Sequence, residues 1–512
     1  MNVLLVNPNY GVQLIQGSVP LGLLSIATFL KERGFHVRLY DRNTEKVPLE
    51  EVLAAFSPHA AGVSVTTAQH LGDAVAISSQ LRALEVPMVW GGNMASGIPE
   101  LILREGSADY VVEGEGEITF CELLEAIEAK QGIAQIKGIV YLDASGCVCH
   151  TPDREFADLA DLPIIDWSFI DPNKHFASHM HCKKMMHLYY SKGCPGRCAF
   201  CANEEFHRCT YRKRPNGYVI SEIKELAEKY GMDGVSFADE SFGMHKGDLY
   251  DLCGRLRALN LDIVWSCQTR LGHLKREDLQ CMFDSGCRRI YYGVESGSPG
   301  MLERIHKPID LSKIDREIRD CREIGISVIS GFIIGFPDET EEELRDTVRL
   351  MLRLNTNQHQ VTMFLPAPGS EFYRYLVEQG RLTQFQTLRT LVESKHATTY
   401  GSFANYSNVP ARDLQVIQSF FQWRRLFGRY YEKSVPKGTQ KNAPTYATAL
   451  HTVLSSLSSV WKQGFFSTCR DMLSLIKIAF SVAWFTFAFP GVRKKYGLYM
   501  KNRRKSAKEH RS

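Results

Sequence analysis

Short apolar runs alternate with amphipathic stretches over the first 135 residues. The runs are Val3–Val6, Val37–Tyr40, Ala61–Val65, Met88–Gly92 and Tyr110–Val112. Between them, Leu21–Arg33, Leu71–Leu84, Pro99–Glu105 and Glu117–Lys130 carry apolar residues at helical spacing. Continuous apolar runs bounded by turn residues suit strands buried on both faces, so the pattern predicts an α/β fold with a doubly wound parallel sheet. Five such strands suggest the flavodoxin-like order, in which ligands bind beyond the carboxyl ends of the strands. The residues expected there are Ser64, Thr66, Gly91, Gly92, Gly114, Glu115 and Gly116. Small residues at those ends let a large ligand approach the backbone closely.

A second series of runs follows: His187–Ser191, Val235–Ala238, Ile263–Cys267, Arg289–Val294, Ser327–Gly335 and Gln360–Leu365, with helical patterns between. Six β/α units predict a partial (β/α)6 barrel over 186–400, with its chemistry at the C-terminal ends of the strands. Residues 136–185, with the strand-like run Gln135–Tyr141, are expected to link this core to a Rossmann-type domain at 1–135. Residues 401–512 lose the strand pattern and are expected to be helical. Met472–Val492 is largely apolar, but its charge-free part, Ile478–Val492, has fifteen residues. A bilayer span needs about 20, so a buried or interfacial helix is the better expectation.

Hydrophobic content of 44% and charged content of 23% are those of a globular protein. The net charge is +4, yet Arg493–Ser512 holds nine basic residues and one acidic, so the rest of the chain sums to −4. That tail suits an anionic membrane surface, and with the apolar stretch it admits peripheral membrane contact. The opening Met1-Asn2-Val3-Leu4-Leu5-Val6 reads as a strand and not as a secretory signal, and fourteen cysteines show no regular pairing. A reducing cytoplasm is therefore expected.

The densest chemistry is Lys192-Gly193-Cys194-Pro195-Gly196-Arg197-Cys198-Ala199-Phe200-Cys201. Cys194, Cys198 and Cys201 can wrap one iron–sulfur cluster. A four-iron cluster normally takes four Cys ligands, so three leave one iron open for another molecule. A zinc site would want a fourth ligand, for which Cys209 is the obvious candidate. Polar residues cluster at the later strand ends: Asp239 and Glu240 in Phe237-Ala238-Asp239-Glu240, Gln268 with Arg270, and Glu295 with Ser296 in Gly293-Val294-Glu295-Ser296-Gly297. Gly331 and Gly335 punctuate the run Gly331-Phe332-Ile333-Ile334-Gly335-Phe336-Pro337.

This set resembles the cobalamin-binding radical S-adenosylmethionine enzymes over roughly residues 1–400. The resemblance implies a 4Fe-4S cluster on the three cysteines, with S-adenosylmethionine on the open iron. It implies adenine contacts from Phe200 and from the backbone at Gly331 and Gly335. It also places Asp239, Glu240, Gln268, Arg270, Glu295 and Ser296 near that cofactor, and cobalamin at the ends of the first sheet. Many cobalamin domains carry Asp-x-His-x-x-Gly, but here the loop is Asp41-Arg42-Asn43-Thr44-Glu45-Lys46, so no His from it ligates cobalt.

The activity implied is methylation of an unactivated carbon, a deoxyadenosyl radical removing hydrogen and methylcobalamin supplying the methyl. Asp239, Glu240 and Tyr292 are expected to position cofactors or to pack, and not to shuttle protons. A bacteriochlorophyll-type tetrapyrrole or a membrane lipid is the expected substrate, and flavodoxin or ferredoxin the expected electron donor. Oxidative cyclisation, as in the anaerobic Mg-protoporphyrin ester cyclase group, is the alternative. An RNA-modifying enzyme fits less well, because Cys147 with Cys149 and Cys281 with Cys287 form no second three-thiol motif, and no nucleic-acid partner is expected.

Overall fold

The computed structural model describes residues 1–10, 18–179, 181–382, 386–393 and 404–427. The first five strands are β1 (Asn2–Asn7), β2 (His36–Asp41), β3 (Ala60–Ser64), β4 (Met88–Gly91) and β5 (Tyr110–Val112). They form a parallel sheet in the order β2-β1-β3-β4-β5, the flavodoxin-like arrangement. Side chains alternate across the sheet. Val3 and Leu5 pack with the helices Leu21–Glu32 and Gly116–Ala129, while Leu4 and Val6 pack with Leu49–Phe56 and Leu71–Arg82. Burial on both faces explains why these strands read as unbroken apolar runs.

The stretch expected to be a linker is not one throughout. Strands β6 (Ile139–Leu142) and β7 (Val148–His150) extend the first sheet, β6 antiparallel to β5 and β7 antiparallel to β6. Beyond them Leu162, Ile165 and Trp167 are buried in the apolar cluster shared with the second sheet. The Ile165 N–H donates to Glu222 Oε1 at 3.1 Å, and Glu222 in turn pairs with buried Arg214. The segment is thus fixed by a contact 57 residues away in sequence, which local composition does not encode.

The second sheet contains β8 (Ala177–His179), β9 (Cys182–Leu188), β12 (Gly234–Phe237), β13 (Val264–Arg270), β14 (Cys287–Glu295), β15 (Ser327–Ile334) and β16 (Gln358–Met363). A small hairpin of β10 (Ser191–Lys192) and β11 (Arg212–Lys213) lies between β9 and β12 in sequence. The order is β16-β15-β14-β13-β12-β9-β8, with six strands parallel and β8 antiparallel at the edge. This is the six-unit partial barrel. Its first strand runs over Cys182–Leu188, earlier than the expected His187–Ser191. The reason is Asp239, whose carboxylate accepts the N–H groups of Tyr190 and Ser191 and so removes them from the ladder.

At the other edge, the helix Ala411–Phe427 covers β16 with Leu414, Ile417 and Phe421. The short helix Leu388–Glu393 returns to the first sheet, where Leu388 and Leu391 join the cluster of Leu71 and Ile77. No helix among the described residues is long and apolar enough to cross a membrane. Met472–Val492, the basic tail and the side chains of Gln422–Arg425 lie outside the described residues.

Candidate functional site

The three cysteines lie on the loop that leaves β10. Gly193 starts the loop at φ +82°, and its N–H donates to Glu240 Oε2 at 2.9 Å. Asn203 ties the loop from inside: Oδ1 accepts from Cys194 N at 3.2 Å, and Nδ2 donates to the carbonyls of Cys194 and Gly196 at 2.7 and 3.1 Å. The Cys201 N–H closes a turn on the Cys198 carbonyl at 2.9 Å, and Ala199 N–H reaches Ile305 O at 3.1 Å. All three thiols are free and partly accessible. Burial pushes the Cys198 thiol up and Cys201 to about 11, so these sulfurs need a bound cation to become thiolates at neutral pH. Among the described residues no three His, Cys, Asp or Glu side chains are grouped around a single-ion site. A cluster spreads its thiolates over several iron atoms.

Two cations face this loop. An added Cβ on Gly196 would lie 3.3 Å from Arg270 Nη1 and 3.4 Å from Cys194 Sγ, which places Arg270 against the cysteines. Lys307 donates to Glu295 Oε1 at 2.6 Å, both nearly buried. Lys307 has no motif to announce it; its only signal is that a buried Glu295 at a strand end requires a cation.

The remaining strand-end residues divide. Glu240 and Phe200 stay at the site, Phe200 packing on Phe336 with ring centroids 5.7 Å apart. Gln268 is exposed at its strand end and holds Phe242 N–H through its carbonyl at 2.8 Å. Gly331 lies under the Tyr291 ring, where a Cβ would come within 1.9 Å of the hydroxyl. Gly335 has φ +79° and donates its N–H to the buried Glu339 at 2.6 Å. Three residues spend their polar atoms on the protein. Ser296 is fully buried and bonds Thr347 Oγ1 at 2.9 Å. Tyr292 is buried on the face away from Tyr291, against Cys321, because neighbouring strand residues point oppositely. Asp239 is spent on the backbone of Tyr190 and Ser191.

Asp239 gives a pH prediction. Burial raises its carboxyl from 3.8 to about 7, against its hydrogen bonds with Ser191. The folded protein keeps a proton there that the unfolded chain releases, so its stabilising contribution is full below the unfolded value and is lost as pH rises through the folded one. Asp239→Asn removes this dependence. The variant's melting temperature relative to wild type should therefore be higher at about pH 8 than at about pH 5 in circular-dichroism melts; a constant difference refutes the assignment.

A cavity of ≈ 1150 Å³, counting space open to solvent, lies between the ends of the first sheet and the cysteine loop. Ser64, Thr66, Gly91, Gly92, Gly114, Glu115 and Gly116 all line it, opposite Lys192, His207 and Glu240. Two of these differ from expectation in what they do. The Glu115 carboxylate is taken by Arg212 and Lys192, and Thr66 N–H donates to His70 Nδ1 at 3.2 Å. The Asp41 loop folds on itself, its carboxylate accepting from Asn7 Nδ2 and Asn43 Nδ2 at 2.9 Å.

Comparison with known proteins agrees with this geometry. Residues 188–351 match the radical SAM superfamily and residues 16–124 match the B12 binding domain. The chain thus carries a B12-binding domain followed by a radical S-adenosylmethionine domain. It is 29% identical over 415 residues to an uncharacterised methyltransferase of Pyrococcus horikoshii, covering 78% of this chain and 89% of that one. It is 24% identical over 400 residues to the anaerobic magnesium-protoporphyrin IX monomethyl ester cyclase of Rubrivivax gelatinosus, covering 75% and 72%. Its fold matches the radical S-adenosylmethionine methyltransferase TsrM of Kitasatospora setae, solved with cobalamin and a [4Fe-4S] cluster, at TM-score 0.64 and 21% identity over 74% and 78% of the two chains.

The residues of this radical S-adenosylmethionine enzyme fit its cofactors. Three free thiols on a pinned loop, with Lys307 and Arg270 beside them, suit an anionic cluster. For the corrinoid there is a large cavity lined in part by Gly62, Gly91, Gly92, Gly114 and Gly116, where no side chain keeps a ligand from the backbone. Among the described cavity residues, one buried side-chain polar atom lacks a partner, Nδ1 of His207.

Proposed function

We propose that this enzyme methylates an unactivated carbon of a hydrophobic small molecule, a tetrapyrrole or a membrane lipid. The observation that carries the reading is the single cavity walled on one side by the B12-binding sheet and on the other by Lys192, His207 and Glu240, which flank the cysteine loop. When bound, the cluster with S-adenosylmethionine supplies a hydrogen-abstracting carbon radical and cobalamin supplies a methyl group. The chain's own part is to hold, orient and shield. Leu5, Leu21, Ile26, Val63, Val89 and Phe120 give the cavity apolar walls that exclude water. Glu240 fixes the start of the cysteine loop through Gly193 N–H.

The hydrophobic substrate is supported by those walls. The membrane lipid is supported further by the apolar stretch Ile478–Val492 and the basic residues after it. Phe200, Glu240, Arg270, Glu295, Gly331 and Gly335 are proposed to contact S-adenosylmethionine, and Ser64, Thr66, Gly91, Gly92, Gly114 and Gly116 to floor the corrinoid. A flavodoxin or ferredoxin is the proposed electron donor.

Mass spectrometry of a deletion strain tests the reading. The expected result is a metabolite lighter by one methyl group, restored by the wild-type gene. A metabolite that instead lacks a ring would replace methylation by cyclisation, the reaction named for the Rubrivivax relative.

A further inference from the structure

We infer that Lys192, Arg212, Glu115 and Glu117 form an interdomain clamp that sets the spacing between the cysteine loop and the corrinoid cavity. This rests on the functional reading above, and it assigns Glu115 and Glu117 a role toward the protein and not toward a cofactor.

The hairpin that launches the cysteine loop is two residues by two, Ser191 opposite Lys213 and Lys192 opposite Arg212. Three of its four residues are cationic, and Lys192 and Arg212 are a like-charge pair directly across the strands. Such a pair is destabilising, and so short a ladder cannot hold itself together. The balancing charges come from the first sheet. Glu115 and Glu117 bracket the start of the helix Gly116–Ala129, directly after β5. Arg212 grips Glu115 with both ends of its guanidinium, at 2.5 and 3.1 Å. Lys192 Nζ lies 2.9 Å from Glu117 Oε1 and 3.7 Å from Glu115 Oε1. Ser25 Oγ donates to the same Glu117 oxygen at 2.7 Å. None of the four side chains is more than 18% exposed.

Charges buried this deeply act as a unit, because removing one leaves its partner uncompensated. The geometry also has little slack. Between the glutamates, a Cβ on Gly116 would fall 2.9 Å from Ile26 Cδ1, so the turn carrying the carboxylates is packed against the helix Leu21–Glu32. On the other side, only Gly193 separates Lys192 from Cys194, at most ~7 Å of chain between their Cα atoms. A shift of the hairpin therefore reaches the first cysteine undiminished. Lys192, Glu115 and Glu117 all line the cavity, so the contact that joins the two sheets lies where the two cofactor sites meet.

Electron paramagnetic resonance tests the clamp. Full-length protein is loaded with its cluster and hydroxocobalamin, and both centres are reduced to states with one unpaired electron. Their magnetic coupling then reports the spacing. Lys192→Met and Glu117→Gln should change the splitting at wild-type cluster and corrinoid content. Lys192→Arg, and Glu115→Arg combined with Arg212→Glu, should restore it. A splitting unchanged in Lys192→Met and Glu117→Gln overturns the clamp. If wild type takes up no corrinoid, the functional reading falls separately, and hydrogen exchange of the cluster-loaded protein decides. Glu117→Gln, in the first sheet's domain, should then speed exchange of the Ser191–Cys194 amides about tenfold; unchanged exchange overturns the clamp.

Discussion

Cys198→Ala is expected to yield a protein that holds no intact four-iron cluster and cleaves S-adenosylmethionine no faster than buffer. The loop provides three thiols and leaves one iron for the substrate-like cofactor, so it has no ligand to spare. Neighbouring carboxylates cannot stand in. Glu295 is committed to Lys307 and Glu240 to Gly193 N–H. Cys209, beyond the loop, is the control: Cys209→Ala should keep cluster and cleavage. Iron and sulfide analysis with chromatographic detection of 5′-deoxyadenosine reads both. Full cleavage by Cys198→Ala, or its loss in Cys209→Ala, would contradict the three-ligand site.

Gly193→Ala should be nearly as damaging, through the backbone alone. At φ +82° an L side chain is strained, and the Cβ would fall 2.3 Å from the Thr210 carbonyl oxygen. Thr210 belongs to the return arm of the same hairpin, whose N–H is tied to the His207 carbonyl, so the oxygen cannot simply move aside. Strain and overlap together should cost roughly 3 kcal/mol or more. Melting should fall by roughly 5 °C or more, with much reduced cluster uptake on reconstitution. Gly196→Ala, in the same loop, has an ordinary φ, and its Cβ would press at 3.3 Å only on the end of the flexible Arg270 side chain, so it should lose far less on both measures. Equal behaviour of the two variants would falsify the argument from loop geometry.

Strands buried on both faces announce themselves, and most strands of both sheets were legible for that reason. Where a strand ends was less legible. β9 stops at Leu188 because Asp239, fifty residues on, captures the next amides. The strand Ile139–Leu142 showed in the sequence as the strand-like run Gln135–Tyr141, but its partner Val148–His150 was hidden in apparent linker, since an edge strand with no buried residue lacks the apolar run of a central one. The candidate site divided in the same way. The cysteines were plain because their spacing is local. Alternation on β14 could have warned that Tyr292 and Tyr291 face opposite sides. Lys307, Asn203 and the partners of Glu115 and Glu117 had no local signal.

The sequence by itself determined the chemistry available here: three thiols at cluster spacing, an ordered series of strands, and a first domain whose Asp41 loop offers cobalt no imidazole. These are facts of spacing along the chain, and spacing survives without a fold. Only the tertiary structure decided which carboxylates are consumed by the protein. Glu115, Glu117 and Asp239 follow strand ends that look like cofactor sites, yet each meets a cation or an amide from a distant segment. A buried carboxylate takes whichever donor the fold brings to it, and that choice is made by packing two sheets against each other.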